Sequence, residues 1–149
     1  MNSQTLDHDS RWRIAVVNNN EYEYEDLDTE TLYDILEELW VKQFNGFFVQ
    51  RHYAPNGRLI VFFMDEFAYV AFEDYGSGKW HCTYNSVKRS QAGWDESVRL
   101  TPSRSQEYSF PAYSIVTKIY AWELIVNYIN NSSIDSLYEL DTNGYIIEK

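Results

Sequence analysis

The chain has 149 residues, with 23 acids against 12 bases, a formal charge of −11 and a pI near 4.6. That length suits one domain and buries enough surface to fold without a disulfide or a metal. The acidic balance argues against direct nucleic-acid binding and against adsorption to an anionic membrane, while 44% hydrophobic and 17% aromatic residues exclude a disordered acidic tail.

Residues 1–10 are polar and read as a frayed end. They carry neither a basic start nor an apolar stretch, so no secretory signal is expected and a cytoplasmic location is. Arg11 to Val17 alternates, with Trp12, Ile14 and Val16 on one face, and reads as a strand. Asn18-Asn19-Asn20 reads as a turn, and Glu21 to Glu25 as an extended segment with acids and tyrosines on opposite faces. Asp28 or Thr29 then offers an N-cap. Leu32, Ile35, Leu36 and Leu39 fall at i, i+3, i+4 and i+7, which predicts an amphipathic helix from Glu30 to about Gln43, ended by Gly46.

Phe47 to Tyr53 is strand-like and Pro55-Asn56-Gly57 is a turn. Leu59 to Met64 and Phe67 to Phe72 form a hairpin about Asp65-Glu66, and Gly76-Ser77-Gly78 turns the chain into Lys79 to Tyr84. Residues 85–105 read as loops around a short strand near Ser97 to Leu100, followed by an edge strand at Glu107 to Phe110. Tyr113 to Tyr128 reads as a second helix introduced by Pro111, with Ile115, Ile119, Trp122, Val126 and Ile129 on its stripe. Asn130 to Ser133 ends it, and Leu137 to Leu140 and Tyr145 to Ile147 close the chain around Asn143-Gly144. The expected fold is α+β: a mostly antiparallel meander sheet with two main helices packed on one face.

Catalytic and cofactor signatures are missing from this sequence. Gly76-Ser77-Gly78-Lys79 echoes a phosphate loop, but Glu73 and Trp80 stand where that motif needs Gly and Ser or Thr, and the segment joins two strands. His81 and Cys82 are neighbours on a strand and point to opposite faces, so Cys82, the only cysteine, reads as a small core residue. The acid pairs Asp65-Glu66, Glu73-Asp74 and Asp95-Glu96 sit beside turns. No enzyme activity, metal or cofactor is expected; the alternative is a small ligand- or glycan-binding module, or a hydrolase, on the aromatic β surface.

The charge is concentrated. Ile14 to Val41 holds nine acids and no base, and so carries −9 of the −11. Glu21, Glu23, Glu25, Asp26, Asp28, Asp34, Glu37 and Glu38, with Tyr22 and Tyr24 interleaved, are the candidate contacts for a basic protein partner. They read as one continuous field that would speed encounter by ~10–10³. Trp94, in a polar loop with Arg89 and Arg99 nearby in sequence, is a second candidate anchor.

From Phe47 onward the chain resembles immunity proteins of bacterial polymorphic toxin systems, specifically immunity family one. The resemblance rests on an arrangement. Arg58 to Phe63 and Phe67 to Phe72 form an apolar hairpin, and the Gly76 to Trp80 turn and a loop region follow. Phe110-Pro111-Ala112 then introduces a helix with Trp122-Glu123, and Leu137-Tyr138-Glu139-Leu140 comes last. It implies a non-catalytic inhibitor that binds a cognate toxin C-terminal domain, commonly a basic nuclease or nucleic-acid deaminase, and occludes its active site.

Overall fold

The computed structural model describes residues 11–18, 20–42, 46–53, 55–64, 66–85, 97–103, 106–143 and 146–147. In chain order the elements are β1 (Trp12–Asn18), β2 (Asn20–Leu27), α1 (Thr29–Lys42), β3 (Gly46–Arg51), β4 (Gly57–Met64), β5 (Phe67–Asp74), β6 (Trp80–Cys82), β7 (Ser97–Ser103), β8 (Gln106–Pro111), β9 (Val116–Thr117), α2 (Lys118–Asn131) and β10 (Tyr138–Glu139). A 3-10 turn at Ala112–Ser114 links β8 to β9.

The main sheet has eight strands in the order β10-β6-β5-β4-β3-β1-β2, with β9 added beside β5. Every named strand pair is antiparallel. β3 to β6 form a meander, as hairpin-length links dictate. The N-terminal hairpin joins through β1, which pairs with β3 across the whole of α1. β7 and β8 form a separate two-stranded sheet, and β7 lies close to β1 and β4.

Strand alternation sorts the side chains into two cores. Trp12, Ile14, Val16, Phe47, Val49, Leu59, Val61, Phe63, Val70 and Phe72 line the face that both helices cover. The opposite face gathers Ile60, Phe62, Tyr69, Ala71, Cys82 and Ile115 into a second cluster. Leu32, Leu36 and Leu39 enter the first core from α1, and Ala121, Leu124, Ile125, Tyr128 and Ile129 enter it from α2. The helices therefore pack on one face, as the sequence predicts.

Three local expectations are corrected. Gly46 does not end the first helix: α1 stops at Lys42 and Gly46 opens β3. A Cβ there would come within 2.7 Å of the Val61 carbonyl and would strike the Phe62 ring, so this glycine serves close strand packing. The second helix begins at Lys118 rather than Tyr113, because Val116 and Thr117 are held by β5, opposite Ala68 and Phe67. Thr117 then caps the helix, its hydroxyl accepting the Tyr120 N–H at 3.2 Å. The stripe moves accordingly. Ile115 lies outside α2 in the second cluster, and Ile119, expected in the core, is 78% exposed.

Other boundaries agree. Asp28 caps α1 by accepting the Thr31 N–H at 2.8 Å, and Ser132, with φ 54°, ends α2. The Gly76-Ser77-Gly78 segment is a hairpin turn: Gly78 has φ 71° and donates its N–H to the Asp74 carbonyl at 2.8 Å. Lys79 is engaged by Glu139 on the neighbouring edge, at 2.8 Å. No helix among the described residues is long and apolar enough to cross a membrane.

Candidate functional site

The acidic stretch does not form one field; the sheet divides it. Opposed residues of antiparallel strands share a face, and Glu23 stands opposite Ala15 while Tyr24 stands opposite Ile14. Glu23 therefore lies on the face away from the helices. There it accepts from Arg13 at 2.5 Å, and Glu25 lies 3.7 Å from the same guanidinium. The paired carboxylates raise the pKa of Arg13, with the Glu23 hydrogen bond as the largest cause.

A bulge places Asp26. The register jumps from Ile14↔Tyr24 to Trp12↔Leu27, so Arg13 faces two residues on β2, and Asp26 takes up the extra residue at φ 54°. It lies 3.8 Å from Arg11. Glu23 and Glu25 are thus answered by Arg13 on β1, and Asp26 by Arg11 just before that strand. Asp28 is committed to its cap, and the Thr31 hydrogen bonds hold its carboxyl below the usual carboxylate range. Glu21 and Tyr22 are placed in β2 by their backbone, and their side chains lie outside the described set. Trp94 and Arg89 lie outside the described residues, and Arg99 is placed in β7 by its backbone.

Asp34, Glu37 and Glu38 remain on the exposed side of α1, above the helix-covered face. They adjoin a feature that sequence periodicity missed. The two helices run antiparallel. Tyr33, near the start of α1, donates its hydroxyl proton to Asn130 Oδ1 at 2.9 Å, near the end of α2. At the other end, Trp40 meets Trp122 edge-to-face, with ring centroids 5.0 Å apart. There the helices leave a cleft of about 560 Å³ lined by Glu37, Trp40, Val41, Ile119, Trp122 and Glu123.

The cleft has apolar walls and a carboxylate from each helix. Val41 is 83% exposed and Ile119 78%, far beyond the core residues one turn away. Lys118 is nearby, but its ammonium donates to the Trp40 carbonyl at 3.3 Å and sits 4.9 Å above the Phe63 ring. Partial burial there lowers its pKa. The Lys118 ammonium is thereby tied to the scaffold. Glu37 lies within four residues of Asp34, Glu38 and Val41 on α1, so acids and cleft form one surface. Ile119 lies three residues before Trp122, on the side of α2 away from Ala121, Leu124, Ile125 and Tyr128, which fill the core positions, while Trp122 packs partly against that core.

On the opposite sheet face, Arg13, Ala15, Glu23, Phe48, Gln50 and Arg58 line a smaller polar hollow of about 160 Å³. Its cations are held in pairs: Arg58 lies 2.8 Å from Glu73 and 4.8 Å above the Phe48 ring. Cys82 is buried, and desolvation pushes its thiol up to about 12. No group of three or more His, Cys, Asp or Glu positioned to hold a metal ion occurs among the described residues. Comparison of the chain with protein-family models, with curated proteins and with solved structures returned no match.

Proposed function

We propose that the chain is an inhibitory binding protein that docks on a basic toxin domain and covers its active site. The observation that carries this reading is the outer face of α1, where Asp34, Glu37 and Glu38 face solvent in a stretch without bases. Such a face attracts a partner evolved to grip phosphates and orients it before contact. Occlusion needs no chemistry from the inhibitor, only a pre-formed surface. Two antiparallel helices fixed on an eight-stranded sheet supply one. The resemblance to immunity proteins supports the same class of partner.

Growth protection tests the reading. The chain is co-expressed with the C-terminal domain of a large toxin, if one is encoded immediately beside its own gene, and association of the purified pair is followed at low and high salt. Protection is expected, and the triple reversal Asp34→Lys, Glu37→Lys, Glu38→Lys should slow association on the order of ten-fold and flatten its salt dependence. An unchanged association rate in that variant would remove the α1 face from the interface.

A further inference from the structure

Whatever fills the cleft between the helices must satisfy walls and rim together. The walls are Trp40, Val41, Ile119 and Trp122; the rim is Glu37 on one helix and Glu123 on the other. A volume of about 560 Å³ lies within the range of a specific ligand site. It is larger than a packing defect, and its two most apolar wall residues are the two most exposed large hydrophobics among the described residues. Exposed aliphatic side chains beside paired tryptophans are the composition of an interface centre, where one or two buried anchors supply most of the binding energy.

The charge decides among occupants. Residues 1–10 include Leu6 but carry Asp7 and Asp9 with Arg and Lys absent, so the carboxylate rim repels them. A second copy of the chain brings another −11, which opposes self-docking at this rim. A segment with cations flanking an apolar side chain meets both requirements. The apolar group enters between Trp40 and Trp122, and Lys or Arg on either side reach Glu37 and Glu123.

We propose that this cleft is a docking site for a basic amphipathic protein segment that inserts a large apolar side chain between the two helices. The proposal rests on the inhibitory reading for the partner's class and adds the element that is recognised. It also orders the interface: the α1 acids set the rate of encounter, and the cleft sets the lifetime of the complex.

A synthetic peptide probe serves in place of the partner, with Leu at i, i+3, i+4 and i+7 and Lys elsewhere on the helix. Two comparators replace its Leu by Ser or its Lys by Glu. Binding to the full chain is measured by calorimetry and by the shifts of the Trp40 and Trp122 indole N–H resonances. The Leu/Lys peptide is expected to move both indoles, and both comparators to bind about ten-fold more weakly or worse. Ile119→Asp should weaken the Leu/Lys peptide to a similar extent, although it adds a negative charge. A contact made by charge alone would strengthen in that variant, and this opposite sign overturns the proposal. Val41→Asp on the other helix repeats the test independently, and both positions are exposed enough to keep the fold.

Equal binding of the Ser or Glu comparator also overturns the proposal, as does a concentration-dependent dimer of the chain that Ile119→Asp abolishes. The two readings fail separately. Toxin protection that survives both aspartate variants overturns the cleft alone. Cleft binding of the peptide without toxin protection overturns the toxin reading alone.

Discussion

At Gly57 there is no room for one more carbon. A Cβ would strike the Glu73 carbonyl and the Phe72 ring, in a register that pairs Gly57 with Asp74. Gly57→Ala should therefore destabilise the fold by about 1–3 kcal/mol, the cost of forcing a methyl into a packed site, measured as a lower urea midpoint. The sequence marks Gly57 as a turn glycine but not as a packing one, because the obstructing ring comes from the next strand. Cys82 was more legible: alternation along β6 sends it inward whatever its partner. Its thiol rises from the ordinary 9.0 to about 12, and the Tyr128 hydroxyl from 10.0 to about 12, both chiefly by desolvation. Between these bounds the unfolded chain gives up protons that the folded chain keeps. Stability conferred by burying the neutral groups is complete below about pH 9 and falls as pH rises towards 12. The slope is about 1.4 kcal/mol per pH unit for each group. Denaturation midpoints from pH 8 to 11 should fall, and Cys82→Ala should flatten the part of the curve that starts near 9.

Element boundaries follow hydrogen bonds more closely than periodicity. The helical pattern read from Tyr113 onward is real as spacing, but the backbone at Val116 and Thr117 is taken by β5. Helix can start only after the sheet releases the chain. Lys118 donates its N–H to the Glu66 carbonyl at 2.9 Å, and the Thr117 hydroxyl takes up the Tyr120 N–H. Thr117→Ala should cost about 1 kcal/mol, while Thr117→Ser should restore most of it; thermal unfolding of the pair checks both. Counting Ile115 as helical anchors the expected stripe on Ile119, which α2 instead turns to solvent, while Trp122 packs partly on the core. That is why the candidate cleft was not legible. It arises where the end of α1 and the start of α2, 76 residues apart at Lys42 and Lys118, meet over one sheet. For α1, the Asp28 cap and the Leu32, Leu36 and Leu39 stripe were legible because both signals are local.

For the whole molecule, charge was legible as a sum but not as a shape. Nine acids in 28 residues became two groups once β2 paired with β1, because Arg13 lies on the strand that β2 folds against and Arg11 just before it. Reversing charge should consequently have different effects on the two sides. Glu23→Lys sets a second cation beside Arg13 and should lower stability by about 1 kcal/mol or less, as exposed pairs do, leaving the association rate nearly unchanged. The α1 reversals should act chiefly on association. Urea denaturation and stopped-flow mixing of the same variants separate the two. Topology also divides by locality: β3 to β6 follow from short links, whereas the pairing of β1 with β3 depends on where α1 carries the chain.

The position of β2 at the end of the sheet order has one further consequence. Its outer edge is a row of backbone donors and acceptors, borne on a strand that alternates glutamate with tyrosine. At neutral pH the carboxylates of Glu23 and Glu25 make that edge an inhospitable template, as charged residues do on exposed strands. Without those two charges the strand would be a tyrosine-rich ribbon of low charge, the composition that stacks into cross-β fibrils. The double change Glu23→Val, Glu25→Val should start thioflavin-positive assembly nucleated at this strand. Glu23→Lys, which keeps a charge there, should not.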